Sequence, residues 1–275
     1  MSLRERAEAP IRGVRRRILR ALPTHLRVKG LGGAQGRAWL QLRHFTTPRF
    51  HRAVTLTTAS GLKLRISTDP VDEQIASELL GPKRFTYFPE WPGGAPHAPC
   101  ILDIGSHHGL YAAAALQEYP ESRVVCVEPS AEALPLLHAN LDINGFGPRA
   151  RVVRAALAPE AGEAVLQHAP DGSWGYSLYE DASEATGSEV VPLTTLEAIL
   201  AGARPDIVKC NAEGAEYSLV DQLARTDIRP RLMIVMVHPQ FGDMADLVAR
   251  AEAMGYRVVD IGWSARPAFQ MWLER

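Results

Sequence analysis

The stretch Cys100-Ile-Leu-Asp-Ile-Gly-Ser-His-His-Gly-Leu-Tyr111 decides the fold. It begins with a short apolar run, and the two glycines that follow, Gly105 and Gly109, permit a tight turn with positive φ angles. A helix that starts after such a turn offers free N–H groups and the positive end of its dipole to a ligand. The stretch therefore predicts a strand, a glycine turn and a helix that form one edge of a cofactor site.

On both sides of this turn, short apolar runs alternate with helical segments. The run LMIVMV at 232–237 is almost continuously apolar, which is typical of a strand covered on both faces. Alternation of this kind predicts an α/β fold with a doubly wound, mostly parallel sheet, interrupted at 163–192 by an insertion of short antiparallel strands. We place this domain at residues 99–275, after an N-terminal extension at 1–98 that contains a basic helix, a β-hairpin at 54–66, a helix at 71–80 and a proline-rich linker.

Composition narrows the class of protein. Hydrophobic residues make up 46% and charged residues 22% of the chain, which are ordinary values for a globular protein. The three cysteines lack metal-binding or redox spacing, and three thiols in strand-like runs favour a reducing compartment. There is no signal-peptide pattern, and no apolar run approaches the roughly 18–20 residues that span a bilayer. We expect a cytoplasmic protein with no transmembrane segment.

The positive charge is concentrated at the N-terminus. Residues 1–52 contain 13 Arg and Lys against two Glu, although the whole chain carries a net charge of −1. The segment 4–21 predicts a basic helix that packs on the domain or on a partner subunit; a polyanion-binding or membrane-surface arm is the alternative. We expect no nucleic-acid partner, and we regard the extension as a candidate homodimer contact or substrate cover.

A carboxylate follows the second strand of the domain, 19 residues after Gly109. Glu128, next to Pro129, stands where a carboxylate accepts hydrogen bonds from ribose hydroxyls. A dinucleotide site requires G-x-G-x-x-G, but this chain has His107 in place of the middle glycine, and Asp103 suits an ammonium group better than a pyrophosphate. These features favour S-adenosyl-L-methionine, with a nicotinamide-dependent oxidoreductase as the alternative. The predicted cofactor-binding residues are Asp103, Gly105, Ser106, His107, Gly109, Glu128 and Pro129.

Five segments in order, among them LDIGSHHGLYAA, VPLTTLEAIL and IVKCNAEGAEYSLV, resemble the FkbM family of S-adenosylmethionine-dependent methyltransferases over residues 60–240. The resemblance implies a class I Rossmann-like architecture and O-methyl transfer, often to sugars, polysaccharides or polyketide hydroxyls. The most specific motif is Lys209-Cys-Asn-Ala-Glu-Gly-Ala-Glu216. Two positions depart from the family pattern, where His107 replaces Asn and Asn211 replaces Asp.

The candidate catalytic residues are those that follow strands, because ligands of open α/β sheets lie beyond the carboxyl ends of the strands. His238 is our first choice as general base, since its ordinary pKa near 6.5 suits work at neutral pH; a structural loop histidine is the alternative. Glu213 could contact the cofactor's ammonium group or orient the acceptor. Asn211 and Glu213 are also the candidate ligands if Mg²⁺ binds, although Asn in place of Asp disfavours a tight site. The adjacent His107 and His108 make a poor zinc site.

The predicted function is O-methylation of a hydroxyl on a sugar, an oligosaccharide or a glycosylated metabolite. A polyketide hydroxyl or a carboxylate acceptor remains open. The loop at 172–177 contains Trp174 and Tyr176, which would suit stacking on a sugar ring but would equally suit a core.

Overall fold

The computed structural model describes residues 27–28, 31–32, 53–67, 70–81, 84–168, 175–178, 185–261 and 267–274. The basic helix predicted at 4–21 and Trp174 lie outside these residues. The chain divides into two units, Met1–Tyr87 and Phe88–Arg275. This division lies ahead of the boundary expected at residue 98, because aromatic side chains of the proline-rich segment already pack within the second unit. Phe88 stacks on Tyr111 with ring centroids 5.7 Å apart, and Trp91 meets Trp272 edge to face.

Among its described residues, the first unit contains an antiparallel sheet of order β2-β1-β3-β4 and one α-helix. Its elements are β1 (Arg27–Val28), β2 (Leu31–Gly32), β3 (Val54–Thr57), β4 (Lys63–Ile66) and α1 (Pro70–Leu80). Alternate residues of β3 and β4 are buried, as a strand with one covered face requires. The predicted hairpin and the helix after it are confirmed.

The second unit is built on a seven-stranded sheet of order β13-β14-β12-β11-β5-β6-β7. These strands are β5 (Cys100–Ile104), β6 (Arg123–Val127), β7 (Ala150–Val153), β11 (Ile207–Cys210), β12 (Leu232–Met236), β13 (Tyr256–Asp260) and β14 (Ala268–Leu273). Only β14 runs antiparallel to its neighbours β12 and β13. The predicted doubly wound, mostly parallel sheet of a class I Rossmann-like fold is confirmed.

Helices separate the strands and cover the sheet. They are α2 (Leu110–Glu118), α3 (Leu134–Asp142), α4 (Leu196–Leu200), α5 (Ala215–Ala224) and α6 (Met244–Ala253). Leu102, Val208, Met233 and Val235 from three neighbouring strands are fully buried, in a core to which α5 contributes Leu219. The apolar run at 232–237 is therefore a central strand, as predicted. None of the helices among the described residues has the length and apolar content needed to cross a membrane.

The sheet reverses its strand order between β5 and β11. From β5 the chain continues outward to β6 and β7, whereas β11 and β12 lie on the other side of β5. In the register of the two central strands, Asp103 pairs with Lys209 and Ile104 with Cys210. The segments after β5 and β11 consequently emerge side by side, at the topological switch point where α/β sheets bind their ligands.

The insertion forms a separate three-stranded sheet of order β8-β10-β9. Its strands are β8 (Ala156–Leu157), β9 (Gly162–His168) and β10 (Gly187–Thr194), and β9 pairs antiparallel with β10 over seven residue pairs. Ala156, Leu166 and Val191 form a small core of their own. The predicted antiparallel insertion is thus present, and Ser177 joins β9 through an isolated bridge to Gln167.

Candidate functional site

Gly105 lies at the closest approach between the two central strand ends. Its φ angle is +71°, and a Cβ built on it would lie 1.9 Å from the carbonyl oxygen of Asn211. Only glycine avoids both the strained backbone angle and this overlap. The backbone N–H of Asn211 also donates to the carbonyl of Ile104 at 3.0 Å. The glycine turn and the segment that begins at Asn211 therefore form one continuous wall.

The rest of the turn is held by the end of β6. The N–H groups of Gly105 and Ser106 both donate to the carbonyl of Val127, at 3.0 and 3.1 Å. The Ser106 hydroxyl donates to the carbonyl of Asp103 at 2.8 Å and accepts from the Val127 N–H at 3.1 Å. The Ser106 side chain thus connects the end of β5 to the end of β6 and fixes the turn between these two strands.

His107 adopts a left-handed conformation that is uncommon for residues other than glycine, with φ at +47°. Its ring contacts that of His108, with centroids 3.6 Å apart. His108 is buried at 4% exposure, and its carbonyl accepts a hydrogen bond from the Asn140 side chain at 2.7 Å. Gly109, with φ at +70°, then begins α2. His107 is the more exposed of the two histidines at the mouth of the sheet.

Glu128 holds the far side of the turn. One carboxylate oxygen accepts from the His107 N–H at 2.7 Å, and the other accepts from the Ser130 N–H at 2.9 Å. Burial raises the pKa of Glu128, although the two backbone donors partly offset that increase. Each oxygen retains a lone pair, so this carboxylate can accept two further hydrogen bonds from a ligand. Pro129, half-buried, separates Glu128 from Ser130.

The carboxylate of Asp103 forms an ion pair within the chain, but neither of its oxygens has a hydrogen-bond partner among the described residues. Lys209 Nζ lies 3.0 Å from Asp103 Oδ1 and donates to the Gly105 carbonyl at 2.8 Å. Asp103 is fully buried. We expected Asp103 to face the ammonium group of a cofactor, but the ammonium that it faces is that of Lys209. Lys209 therefore neutralises Asp103 and ties it to the turn, while the carboxylate oxygens can still accept hydrogen bonds from a ligand, so the cofactor contact of Asp103 stays a prediction.

His238 lies between two carboxylates. Its Nδ1 is 2.9 Å from Glu216 Oε1, and its Nε2 is 3.1 Å from Glu213 Oε1. The same Glu216 oxygen also accepts the His238 backbone N–H at 2.7 Å. The imidazole is completely buried, and both ring nitrogens are engaged.

This environment changes the role expected for His238. Burial alone would lower the pKa of His238, but the hydrogen bonds and charges of Glu213 and Glu216 outweigh burial and raise it to about 9. With a carboxylate at each ring nitrogen, the geometry favours the imidazolium at neutral pH, with both nitrogens donating. An imidazolium has no lone pair for a proton, so the arrangement does not suit the general base that we predicted. We reassign His238 as the residue that holds and orients Glu213.

The turn around Glu213 is conformationally strained. Glu213 has φ at +45°, a left-handed angle that is uncommon for residues other than glycine, and Gly214 follows with φ at +112°, which glycine adopts without strain. The Ser177 hydroxyl donates to the Glu213 carbonyl at 3.0 Å, and Glu216 Oε2 accepts the Gly214 N–H at 2.9 Å. These two contacts stabilise the conformation that points the Glu213 side chain at His238.

Asn211 contributes an acceptor to the same wall. Its Oδ1 atom is buried, and it has no hydrogen-bond partner among the residues that the structure describes. A buried acceptor without a partner is costly, and a bound ligand with a donor group would remove that cost. Asn211 therefore fits a ligand that carries an ammonium or a hydroxyl group.

The insertion is fastened to the loop that follows Glu128. The Tyr176 hydroxyl donates to Glu132 at 2.8 Å, and its ring stacks on His168 with centroids 4.1 Å apart. Glu189 of β10 accepts the Ala131 N–H at 3.2 Å with both oxygens. Tyr176 and its neighbour Ser177 thus connect the Glu128 loop with the Glu213 turn. Of the two roles considered for Tyr176, sugar stacking and core packing, the described contacts favour the core: the ring stacks on His168 and packs against the small core of the insertion.

Three residues were missed as site residues by the sequence reasoning. Lys209 and Glu216 stand in the motif that carried the family resemblance. A lysine inside an apolar strand and a glutamate in the first turn of the next helix are the sequence signals that could have indicated buried partners, and both residues are buried. Ser177 left no signal, because its contact joins segments 36 residues apart.

The site fits S-adenosylmethionine better than it fits a divalent cation. The glycine turn, Glu128 and the unpartnered Asn211 oxygen offer the close backbone approach and the acceptors that a ribose and an ammonium group require. In contrast, the carboxylate of Glu213 already faces the imidazolium of His238. That cation would repel Mg²⁺, so Glu213 does not fit the role of a metal ligand.

Comparisons with known proteins find one matching family and several proteins of low sequence identity. Residues 103–258 match the family described as "Methyltransferase FkbM domain". The methyltransferase sdnD of Sordaria araneosa is 24% identical over 46% of this chain and 60% of the relative. The solved structure of methyltransferase FkbM from Methylobacillus flagellatus KT is 13% identical over 74% of this chain and 54% of that chain, with a TM-score of 0.49. M. capricolum TrmK, solved with S-adenosyl-homocysteine, is 10% identical over 70% of this chain and 67% of that chain, with a TM-score of 0.43. The chain thus spans less than two thirds of the length of the first two relatives.

Proposed function

The chain belongs to the Methyltransferase FkbM domain family, as its motifs predicted, and from this premise we propose that it is an S-adenosylmethionine-dependent O-methyltransferase of saccharide hydroxyls. The acceptor that we propose is a sugar, an oligosaccharide or a glycosylated metabolite. The observation that carries the proposal is the close approach of Gly105 to Asn211. This contact joins the cofactor turn to the segment that contains Glu213.

Cofactor binding falls to the turn and to Glu128. When bound, S-adenosylmethionine supplies the methyl group on a sulfonium sulfur, a good leaving group. Glu128 would accept hydrogen bonds from the ribose hydroxyls, and its two backbone donors keep the carboxylate in place for that task. Lys209 and Ser106 keep the turn in the conformation that admits the cofactor. Their role is positioning, because neither side chain needs to touch the ligand.

Activation of the acceptor falls to Glu213. An alcohol must lose its proton as it attacks, and a carboxylate at the strand mouth can accept the hydrogen bond of the hydroxyl and then its proton. His238 holds this carboxylate at 3.1 Å from Nε2. Positioning supplies much of the acceleration for a reaction with a good leaving group. Asn211 contributes a second acceptor beside the glycine turn, where it can orient either substrate.

The choice of a saccharide rests on the family resemblance and on the polarity of the site. Asn211, Glu213 and His107 offer hydrogen-bonding groups rather than an apolar wall. A hydroxyl-rich acceptor satisfies such groups, whereas an apolar acceptor would leave them without partners. A polyketide hydroxyl or a carboxylate therefore ranks behind a saccharide.

The test is a transfer assay with S-adenosylmethionine labelled in its methyl group. The wild-type chain, Glu213→Gln and the control Glu252→Gln, an exposed helical glutamate, are incubated with hexoses, oligosaccharides and aromatic carboxylic acids. We expect label in a saccharide product that resists dilute alkali, as a methyl ether does, and a loss of about 10²-fold or more in Glu213→Gln. Label in an alkali-labile product would identify an ester and overturn the hydroxyl acceptor. Full activity in Glu213→Gln would overturn its assigned role.

A further inference from the structure

A pocket lies at the end of the seven-stranded sheet that is opposite to the glycine turn. Its volume is about 520 Å³, within the range of pockets that bind small molecules. Trp91, Arg231, Arg257, Trp272 and Glu274 are among the residues that line it. Arg231 immediately precedes β12, and Arg257 stands at the beginning of β13. The pocket is therefore at the amino ends of the parallel strands, away from the site described above.

The two tryptophans form a fixed aromatic wall. Their rings meet edge to face, with centroids 5.5 Å apart and planes at 88°. The indole N–H of Trp91 donates to the Tyr119 hydroxyl at 3.1 Å, and that of Trp272 donates to the Gln270 side chain at 3.4 Å. Both polar edges thus have partners within the chain. Trp91 is partly exposed and Trp272 is 9% exposed, and both line the pocket, where indole carbon atoms would suit the apolar face of a six-membered ring.

The charges around the wall are unbalanced. The Arg231 guanidinium lies 5.0 Å from the Trp91 ring centroid, and its hydrogen bond among the described residues is a long one, to the Gly94 carbonyl at 3.4 Å. Arg257 faces the only carboxylate among the residues that line the pocket, Glu274, at 3.9 Å. Two guanidinium groups against one carboxylate leave an excess of positive charge. Each guanidinium has five donors, most of which can bind an anion.

The backbone under these side chains is rigid. The Arg231 N–H donates to the Asp206 carbonyl at 2.9 Å, and its carbonyl accepts from Leu273 at 3.1 Å. Arg257 and Trp272 are cross-strand partners in β13 and β14. Sites carried on paired strands are positioned before the ligand arrives, which reduces the entropic cost of binding.

We propose that this pocket binds a carboxylate carried on a six-membered ring, as in a sugar acid or an aromatic acid. The carboxylate pairs with Arg231 and Arg257, and the apolar face of the ring packs against the indoles. Bidentate pairing favours a carboxylate on arginine, and the aromatic wall adds a preference that a simple anion cannot satisfy. The inference does not depend on methyl transfer, because the pocket lies at the amino ends of the parallel strands and the cofactor turn at their carboxyl ends.

The experiment measures binding to the full chain by isothermal titration, with tryptophan fluorescence as a second signal. The probes are glucuronate, benzoate, glucose and inorganic phosphate. The variants are Arg231→Met and Arg257→Met, and the control is Arg204→Met, which removes an exposed arginine that pairs with Asp227 elsewhere. Each variant must retain the far-UV circular dichroism spectrum and the Tm of the wild type. If Arg231→Met does not fold, the half-exposed Arg257 still provides the test.

We expect saturable binding of glucuronate or benzoate, with affinity at least about tenfold above that of glucose and of phosphate. Glucuronate alone would identify a sugar acid, and benzoate alone an aromatic acid. Either pocket variant should weaken binding at least about fivefold, whereas Arg204→Met should not change it. Binding of phosphate as tight as that of the ring acids would overturn the proposal. So would unchanged affinity in both pocket variants, or no binding of either acid up to about 10 mM.

Discussion

Replacement of Glu216 by glutamine removes one of the two charges that hold His238. Glu216 Oε1 accepts both the backbone N–H and Nδ1 of His238, at 2.7 and 2.9 Å, and Oε2 accepts the Gly214 N–H at 2.9 Å. Glutamine retains the shape of the side chain but loses the charge. The amide N–H₂ of the glutamine must also face a donor, either the N–H groups of His238 or the backbone N–H of Gly214. We therefore expect a folded but destabilised protein in which the His238 pKa is lower.

The magnitude follows from the pKa of His238. A rise from 6.5 to about 9 corresponds to roughly 3 kcal/mol of interaction with the protonated ring, shared between Glu213 and Glu216. Loss of the Glu216 charge then removes about 1–2 kcal/mol, and the mismatched buried amide adds about 1–3 kcal/mol. Because the folded pKa is above the unfolded one, this stabilisation is complete below about pH 6.5 and is lost as the pH rises through about 9. The mismatch of the amide does not depend on pH.

The assay is urea unfolding of wild type and Glu216→Gln at about pH 6 and about pH 9.5. We expect the difference in free energy of unfolding to be about 1–2 kcal/mol smaller at the higher pH, and the His238 resonance to titrate at a lower pH in the variant. Glu252→Gln removes the charge of an exposed helical glutamate and serves as the control, with a difference that is small at both pH values. An equal difference at both pH values would refute the assignment of His238 as an imidazolium held by Glu216.

Other predictions follow from single contacts in the site. Gly105→Ala should lower the free energy of unfolding by more than about 3 kcal/mol or prevent folding. The control is Gly145→Ala, at a position with nearly the same φ angle but open space around the added Cβ, where the loss should be only about 1–2 kcal/mol. Chemical unfolding of both variants isolates the overlap with Asn211. Tyr176→Phe should weaken S-adenosylhomocysteine binding about threefold to tenfold through loss of the contact to the Glu128 loop, with kcat little changed; an unchanged Kd would refute this link. Ser177→Ala should lower kcat about tenfold with little change in the cofactor KM, because the strained Glu213 turn loses the hydrogen bond to its carbonyl. In the same steady-state assay, Ser177→Thr should restore part of kcat.

Local sequence signals were sufficient to predict the strands of the sheet and the turn at its cofactor site. The apolar run at 232–237 predicted a central strand, and the glycines at 105 and 109 predicted the turn after β5. Both signals depend on residues that are adjacent in sequence, which periodicity and glycine placement describe well. The family motif added the position of Glu213 beside the turn, since the end of β11 lies next to the end of β5.

Protonation and pairing could not be predicted from local patterns. The role of His238 depends on Glu216, 22 residues earlier in the chain, and the role of Asp103 depends on Lys209, 106 residues later. A histidine after a strand looks like a base until a buried carboxylate is found on each side of its ring. Likewise, the ion pair between Asp103 and Lys209 follows from the register of β5 and β11, which local patterns do not define. Such long-range contacts can be predicted only when the order and register of the strands are known.

The central claim, that the turn from Gly105 to Gly109 with Glu128 binds S-adenosylmethionine, is tested most directly by isothermal titration of the full chain with S-adenosylhomocysteine and with NAD. We predict saturable binding of one S-adenosylhomocysteine per chain, no heat from NAD, and an affinity at least about tenfold weaker in Glu128→Gln, whose amide offers a single acceptor oxygen. Binding of NAD without binding of S-adenosylhomocysteine would contradict the assignment, and the chain would then fit a nicotinamide-dependent enzyme on the same fold.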